Sequence, residues 1–337
     1  MPERFLNLTE GTVMLVTDLH GDRDAFHRYV HRFHKLYQSG EAQRLIFLGD
    51  VIHGYGSEQT DGSLSMILNV IKLQQELGPD TVMMLLGNHE MPHIYGISLA
   101  KGEIEFTPRF EHVLGDHRRA VLAFLRSLPF YIRTAAGVML THAGPALDAC
   151  EHVELLRYFD HEAILQEADQ VLNQADDLTP LYQQYSALYG APYDEEAEYY
   201  LAVRGPDDPR YTHLLRAFMI SRQSAAFRVL WDMLFTMNEI GLTEWTYLQG
   251  CQRFLSAFSV DAPVEQRVVV SGHMITPMGG HMLVNRCQFR LSSAAHARPR
   301  EAGCYLLLDC EKPVRAANDL LGCLGSVFDD DEDDEDD

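Results

Sequence analysis

A layered α/β (α+β) fold is predicted by three features of this 337-residue chain. Five short apolar runs, VMLVTDLHGD (13–22), LIFLGD (45–50), VMMLLGNHE (82–90), VMLTH (138–142) and VVVSGH (268–273), have the length and Val/Ile/Leu/Met content of fully buried strands. Helical patterns alternate with the early runs, the rhythm of βαβ units. Each run ends in Gly, Thr or Ser followed by Asp, Asn or His. In open α/β sheets ligands bind beyond the carboxyl ends of the strands. Asp18, His20, Asp50, Asn88, His89, His142 and His273 are therefore expected to converge.

The elements follow in order. Asp24–Ser39 is predicted helical because Phe26, Tyr29, Val30, Phe33 and Leu36 recur at helical spacing. Leu64–Leu77 is a second helix, stopped by Gly78-Pro79, and Arg118–Leu128 a third, stopped by Pro129. Residues 146–260 are mostly helical, acidic and Tyr-rich, with loop signals at Gly190-Ala191-Pro192 and Gly205–Pro209. They read as a helical insertion or cap within one domain spanning 1–328, because His142 and His273 flank them and return to one site. Phe227, Leu230, Trp231, Leu234, Phe235 and Trp245 are expected in its core, and the Tyr182–Tyr200 stretch either packs helices or caps the site. Residues 264–311 revert to strands in VEQRVVVSGH, GHMLVNRCQFRLSS and GCYLLLDC.

The net charge is −22, but the run Asp329–Asp337 supplies nine negative charges, leaving about −13 on the rest. So dense a like-charge run predicts a disordered, solvated tail over 329–337. The overall sign argues against nucleic acid as a partner. The six cysteines contain no CxxC pair and read as reduced thiols. No secretory signal and no run near the ~20 apolar residues of a membrane span is seen. A cytoplasmic protein is the default expectation, and the oligomeric state is left open.

The ligand types suggest a metal. Asp18 and His20 lie two apart at a strand end, so both side chains can face one ion. Asp50 offers two oxygens that can bridge two cations, Asn88 a neutral oxygen, and His142 and His273 imidazole nitrogen. Such mixed N/O ligation suits Mn, Fe or Zn better than Ca or Mg. Two such ions about 3.5–4 Å apart would clamp a phosphoryl oxygen and acidify a bound water.

TDLHGD, FLGDVIHG, LLGNHE, MLTHAG and VSGH resemble, in order and spacing, the signature blocks of the calcineurin-like metallophosphoesterases. The chain looks most like the phosphoprotein phosphatase branch, over about 11–145 and 225–311. The resemblance implies a four-layer fold, a central β-sandwich of two mixed sheets flanked by helices. It implies Asp18 and His20 on metal one, Asp50 bridging, and Asn88, His142 and His273 on metal two. His89 would be the general acid, and a metal-bridging hydroxide would attack phosphorus in line. The substrate implied is a phosphorylated protein or a small phosphoester, with two divalent ions, Mn first among them.

The departures concern substrate grip. The family's second block is Gly-Asp-x-x-Asp-Arg-Gly; here His53 stands at the His-orienting Asp and Gly54 at a phosphate-gripping Arg. The family's Ser-Ala-Pro-Asn-Tyr segment reads Ser293-Ala294-Ala295-His296-Ala297, without the Tyr. His53 and His296 are therefore candidate substrate contacts, and Arg204, Arg222 and Arg228 loose candidates for phosphate. His53 otherwise reads as a loop histidine or as a replacement for the missing Asp, His281 and His296 as surface or hairpin residues or else substrate contacts near the metals, and His93 and Tyr95 as core or pocket rim. Beside a phosphatase, two alternatives stand. THAG and LRSLPFYI lean towards a diadenosine-tetraphosphate-type pyrophosphohydrolase. The missing Arg and Tyr lean towards a metal-binding module without turnover, which the intact His89 opposes.

Overall fold

The computed structural model describes residues 3–328; the acidic tail lies outside them. In chain order the strands are β1 (Phe5–Leu8), β2 (Thr12–Val16), β3 (Arg44–Phe47), β4 (Val82–Met84), β5 (Ala100–Lys101), β6 (Ile104–Glu105), β7 (Tyr131–Thr134) and β8 (Val138–Thr141). They continue as β9 (Val268–Ser271), β10 (His281–Asn285), β11 (Gln288–Leu291), β12 (Cys304–Asp309) and β13 (Leu324–Ser326). One mixed sheet has the order β1-β7-β8-β9-β11-β10, the other β13-β12-β2-β3-β4, and β5 and β6 form a small hairpin.

The predicted runs are continuous in hydrophobicity because both faces of each sheet are covered. Val13 and Leu15 of β2 point into a cluster shared with Val138, Leu140, Val268 and Val270 of the other sheet, the sandwich interior. Met14 and Val16 point the opposite way, into a cluster with Phe26, Tyr29 and Phe33. Strand alternation thus sends one set of side chains to the partner sheet and the other to the helices.

Helix α1 (Arg23–Ser39) is capped by Asp22, whose side chain accepts from Ala25 N, and ends at Gly40, where a φ of 79° suits a residue without Cβ. It is followed by α2 (Ser63–Leu77), α3 (Met91–Tyr95), α4 (Phe106–Leu114) and α5 (Arg118–Ser127). The three predicted helices match α1, α2 and α5 to within a residue, whereas α3 and α4 were not predicted.

Residues 146–260 are helical, and β8 and β9 on either side pair in parallel, so the chain leaves and re-enters the same sheet. Tyr185, Tyr193 and Tyr211 pack into a cluster inside this segment. Trp231 stacks on Phe235 at 4.1 Å. Trp245, expected in the core, is 67% exposed. The helix Glu244–Phe258 buries Tyr247, Cys251, Phe254, Leu255 and Phe258, a face that position 245 does not share. The six cysteines are free thiols. Among the described residues no helix is long and apolar enough to cross a membrane.

Candidate metal centre

The five signature runs divide between the sheets. β2, β3 and β4 deliver Asp18, His20, Asp50, Asn88 and His89, whereas β8 and β9 deliver His142 and His273. The site therefore lies where the carboxyl ends of two sheets meet, not along one. Backbone hydrogen bonds join these ends: His20 N donates to Asp50 O (2.9 Å), Gly272 N to His142 O (2.9 Å) and Ala295 N to Asp18 O (3.1 Å). His273 N donates to both Asp18 carboxylate oxygens at 3.0 Å, tying one sheet to the other.

Asp18 and His20 are brought together by a different geometry from the pleat. β2 ends at Val16, and both residues take left-handed backbone angles, φ 50° and 44°. Asp50 (53°), His53 (74°) and His273 (70°) do the same, so the site holds five of the seven non-glycine residues with positive φ among the described residues. Such conformations cost energy and persist only where surroundings enforce them, which happens at functional sites. The glycines before the ligands have a steric role. A Cβ at Gly272 would overlap the Asp18 carboxylate, and one at Gly87 would overlap the carboxylates of Asp50 and Glu90.

Asp50 stands in the middle. Its Oδ2 lies 3.6 Å from His20 Nε2 and its Oδ1 3.5 Å from His142 Nε2. Burial, reinforced by the Glu90 and Asp18 carboxylates, pushes the Asp50 carboxyl far above the usual range. A buried acid so disfavoured as an anion is a place where a cation would be stabilising.

The second cluster makes the case for a cation directly. Burial keeps the His142 imidazole neutral, lowering its pKa. Its Nδ1–H donates to Leu48 O at 2.9 Å, so Nε2 carries a lone pair. That lone pair faces Asn88 Oδ1 at 2.8 Å, and His273 Nδ1 approaches the same oxygen at 2.9 Å. Burial also lowers His273, to about 3. The bare His142 nitrogen and the Asn88 oxygen are both acceptors and repel unless a positive ion sits between them, which fits a metal.

The first cluster contains Asp18, His20 and His296, whose ligand atoms lie within 4.8 Å of one another. The buried Nδ1 atoms of both histidines lack a hydrogen-bond partner, although His296 Nδ1 comes within 3.1 Å of Asp18 Oδ1. An unsatisfied buried nitrogen calls for an explanation, and for His296 Nδ1, which faces Asp18, a metal supplies one. His296, expected to touch substrate, thus sits among metal-ligand atoms instead.

His53 corrects the other expected substrate contact. It is buried, with Nδ1 2.9 Å from His89 Nδ1 and Nε2 2.7 Å from His93 Nε2, leaving no ring nitrogen for a substrate. His93 and Tyr95 are both buried core residues, Tyr95 bonding His161 Nδ1 at 2.7 Å. His281 is half-buried and stacks on Phe289. Arg204, Arg222 and Arg228 are exposed on the helical segment, Arg222 lying over the Phe218 ring.

Three contributions were not anticipated. Glu90 is fully buried and accepts backbone N–H groups from Asp50 (3.0 Å), Val51 (2.9 Å), Ile52 (3.3 Å) and Gly87 (3.1 Å). It fixes the loop bearing Asp50 against the loop bearing Asn88, and burial still raises its carboxyl to about 7. Tyr55 OH lies 3.4 Å from His20 Nε2, its ring 4.7 Å from the His20 ring. Lys101 Nζ lies 3.3 Å from Tyr55 OH and is a charge felt by both Asp50 and His20. Glu90 was visible in GNHE as part of a block, but its partners were not.

A family model for calcineurin-like phosphoesterases matches residues 11–207, more than half of the chain. The chain belongs to the calcineurin-like phosphoesterase family. No curated protein sequence matches this phosphoesterase. Among solved structures, a protein serine/threonine phosphatase from Saccharomyces cerevisiae with similarity to human phosphatase PP5 superposes with a TM-score of 0.50 at 14% identity, covering 91% of this chain and 77% of that one. A mutant cold-active protein tyrosine phosphatase gives a TM-score of 0.49 at 16% identity, covering 92% of this chain and 78% of that one. At such identities the likeness is one of fold, the four-layer sandwich described above. The family implies divalent metal ions, and the side chains of this phosphoesterase form clusters fit to hold them.

Proposed function

We propose that this phosphoesterase is a dimetal phosphomonoesterase whose substrates are phosphoserine or phosphothreonine esters or small phosphoesters. The observation that carries this reading is Asp50, one carboxylate standing between His20 on one side and His142 on the other. Asp18, His20 and His296 would hold one ion, Asn88, His142 and His273 the other, and Asp50 would serve both. When bound, such a pair polarises a phosphoryl oxygen and lowers the pKa of water.

The protein's own part is positioning and proton transfer. His89 lies edge-on to His20, ring centroids 4.6 Å apart, and its backbone N–H holds Asp50 Oδ1 at 3.0 Å. Its Nδ1 is taken by His53. Nε2 is the nitrogen left to take up a proton from solvent and pass it to the leaving oxygen, after which the neutral ring keeps its Nδ1–H. The phosphate grip that the family assigns to the position of Gly54 passes to Tyr55 and Lys101. Burial, with the nearby carboxylates of Asp50 and Asp18, keeps Tyr55 protonated and so a donor. The Lys101 ammonium sits over the Tyr55 ring at 4.6 Å and supplies positive charge at the rim.

Two experiments test this. Asp50→Asn removes the shared charge, so atomic analysis should find both ions lost; two ions still bound would end the bridging role. Lys101→Ala should raise KM for a phosphothreonine peptide roughly tenfold with kcat within about twofold, as a lost charged contact does. An unchanged KM would place the grip elsewhere.

A further inference from the structure

The family's His-orienting carboxylate is absent at His53, yet a carboxylate still closes the chain of hydrogen bonds that begins at His89. His89 Nδ1 meets His53 Nδ1 at 2.9 Å, and His53 Nε2 meets His93 Nε2 at 2.7 Å. His93 Nδ1 meets Glu111 Oε1 at 3.3 Å, and Arg118 Nε donates to Glu111 Oε2 at 2.8 Å. We propose that Glu111, acting through His93 and His53, is the positioning carboxylate that fixes the orientation and tautomer of His89. This inference rests on the phosphoesterase reading with His89 as proton donor.

The direction of the chain follows by elimination from its far end. Arg118 can only donate, and a carboxylate can only accept. Although burial pushes Glu111 up, the hydrogen bonds from His93 and Arg118 hold its carboxyl below the usual value, so it is ionised. A neutral His93 therefore gives its Nδ1–H to Glu111 and presents a bare Nε2. His53 fills that lone pair with its Nε2–H and presents a bare Nδ1. His89 must then carry its proton on Nδ1, which leaves Nε2 for the substrate side. One carboxylate thereby dictates the tautomers of three imidazoles.

The surroundings make this chain rigid and dry. His53, His89, His93 and Glu111 are all buried. The His53 ring stacks on Phe106 with an interplanar angle of 6°, and Phe106 also meets the edge of His89. Phe110 packs against both His53 and His93. The links are direct side-chain contacts, and in a low-dielectric pocket each bond polarises the next. Phe106, Phe110 and Glu111 all lie on α4, so one helix supplies both the walls and the carboxylate.

Glu111→Gln tests the proposal. Arg118 still donates into position 111, so the amide oxygen turns to it and the amide NH2 faces His93. The chain then reverses, placing a proton on His89 Nε2 and a bare Nδ1 behind it. His89 Nδ1 then faces an N–H of His53 and cannot hold a second proton, so the ring can give up its Nε2 proton only by forming an imidazole anion, whereas the wild-type ring can take up a proton on Nε2 and return to neutral on donating it. Kinetics would compare phenyl phosphate, a poor leaving group, with p-nitrophenyl phosphate, a good one, on Mn²⁺-loaded protein with two ions confirmed. The ratio of kcat on the first to kcat on the second should fall about tenfold or more, part of the ~10²–10⁴ that general acid catalysis contributes. Glu111→Asp, which keeps the charge, should recover part of that ratio. An unchanged ratio, whether both rates fall together or neither falls, overturns the proposal.

A second measurement is independent of turnover. Ring ¹⁵N spectra of the wild-type, zinc-loaded protein should show protons on Nδ1 of His89 and His93 and on Nε2 of His53. A neutral His89 protonated on Nε2 overturns the proposal whatever the activity. If wild-type protein with two ions bound hydrolyses neither ester, the phosphoesterase reading fails, while these spectra still decide whether Glu111 sets the tautomers.

Discussion

His89→Ala should retain two ions per chain and lose about 10²–10⁴ in kcat on a poor leaving group, the range that a general acid contributes. The loss should shrink towards nothing on p-nitrophenyl phosphate, whose leaving oxygen needs little protonation. The retained metal is the discriminating half of this result. His89 lies within ligand distance of His20 and Asp50, so the side chain could hold an ion as well as donate a proton. Its Nδ1 is committed to His53 and its backbone N–H to Asp50, which makes it a neighbour of the metals in this account. Metal analysis and steady-state kinetics on the same preparation separate the roles. A variant that loses one ion, or that keeps full turnover on phenyl phosphate, contradicts the assignment.

Glu90→Ala should be the most damaging single change to the metal-free protein. Its carboxylate accepts from four backbone N–H groups, those of Asp50, Val51, Ile52 and Gly87. The side chain is completely buried, so its removal leaves those donors facing a cavity. Each buried orphan costs about 1–3 kcal/mol. Partial relaxation and water entry reduce the sum, and a loss of about 4 kcal/mol or more in urea unfolding is expected. That is a large fraction of the ~5–15 kcal/mol that folded domains possess. Because Asp50 N is one of the four donors, the loop carrying the central carboxylate should loosen and metal affinity fall in parallel. A loss below about 1 kcal/mol would mean that the two loops are held by something else.

Much of the site is legible in the chain because each signature run carries its own address. A buried strand, a small residue and then an Asp, Asn or His is a local pattern, and Asp18, His20, Asp50, Asn88, His142 and His273 all follow it. The structure brings these six together with His89, and the helices that separate the early runs stand where spacing puts them. What local pattern cannot carry is long-range pairing. β1 pairs with β7 across more than 120 residues, and nothing in Phe5–Leu8 specifies Tyr131–Thr134 as its neighbour. The division of five strand ends between two sheets is of the same kind. His53 reads as a substrate contact or as a stand-in for the lost Asp, and the choice is not legible because its partners His93 and Glu111 arrive from α3 and α4. His296 reads as a substrate contact until the turn 292–297 is seen folded against Asp18. Trp245 is the opposite case: its hydrophobicity suggests the core, but it lies on the exposed face of its helix.

The central claim is that this phosphoesterase turns over phosphomonoesters with two metal ions. Protein stripped of metal, reloaded with Mn²⁺ and assayed in parallel on p-nitrophenyl phosphate, a phosphothreonine peptide and diadenosine tetraphosphate tests it most directly. Two ions per chain, no turnover before reloading, and hydrolysis of both phosphomonoesters in preference to the dinucleotide are expected. Two bound ions without turnover of either phosphomonoester would contradict it, and preference for diadenosine tetraphosphate would make the protein a pyrophosphohydrolase instead.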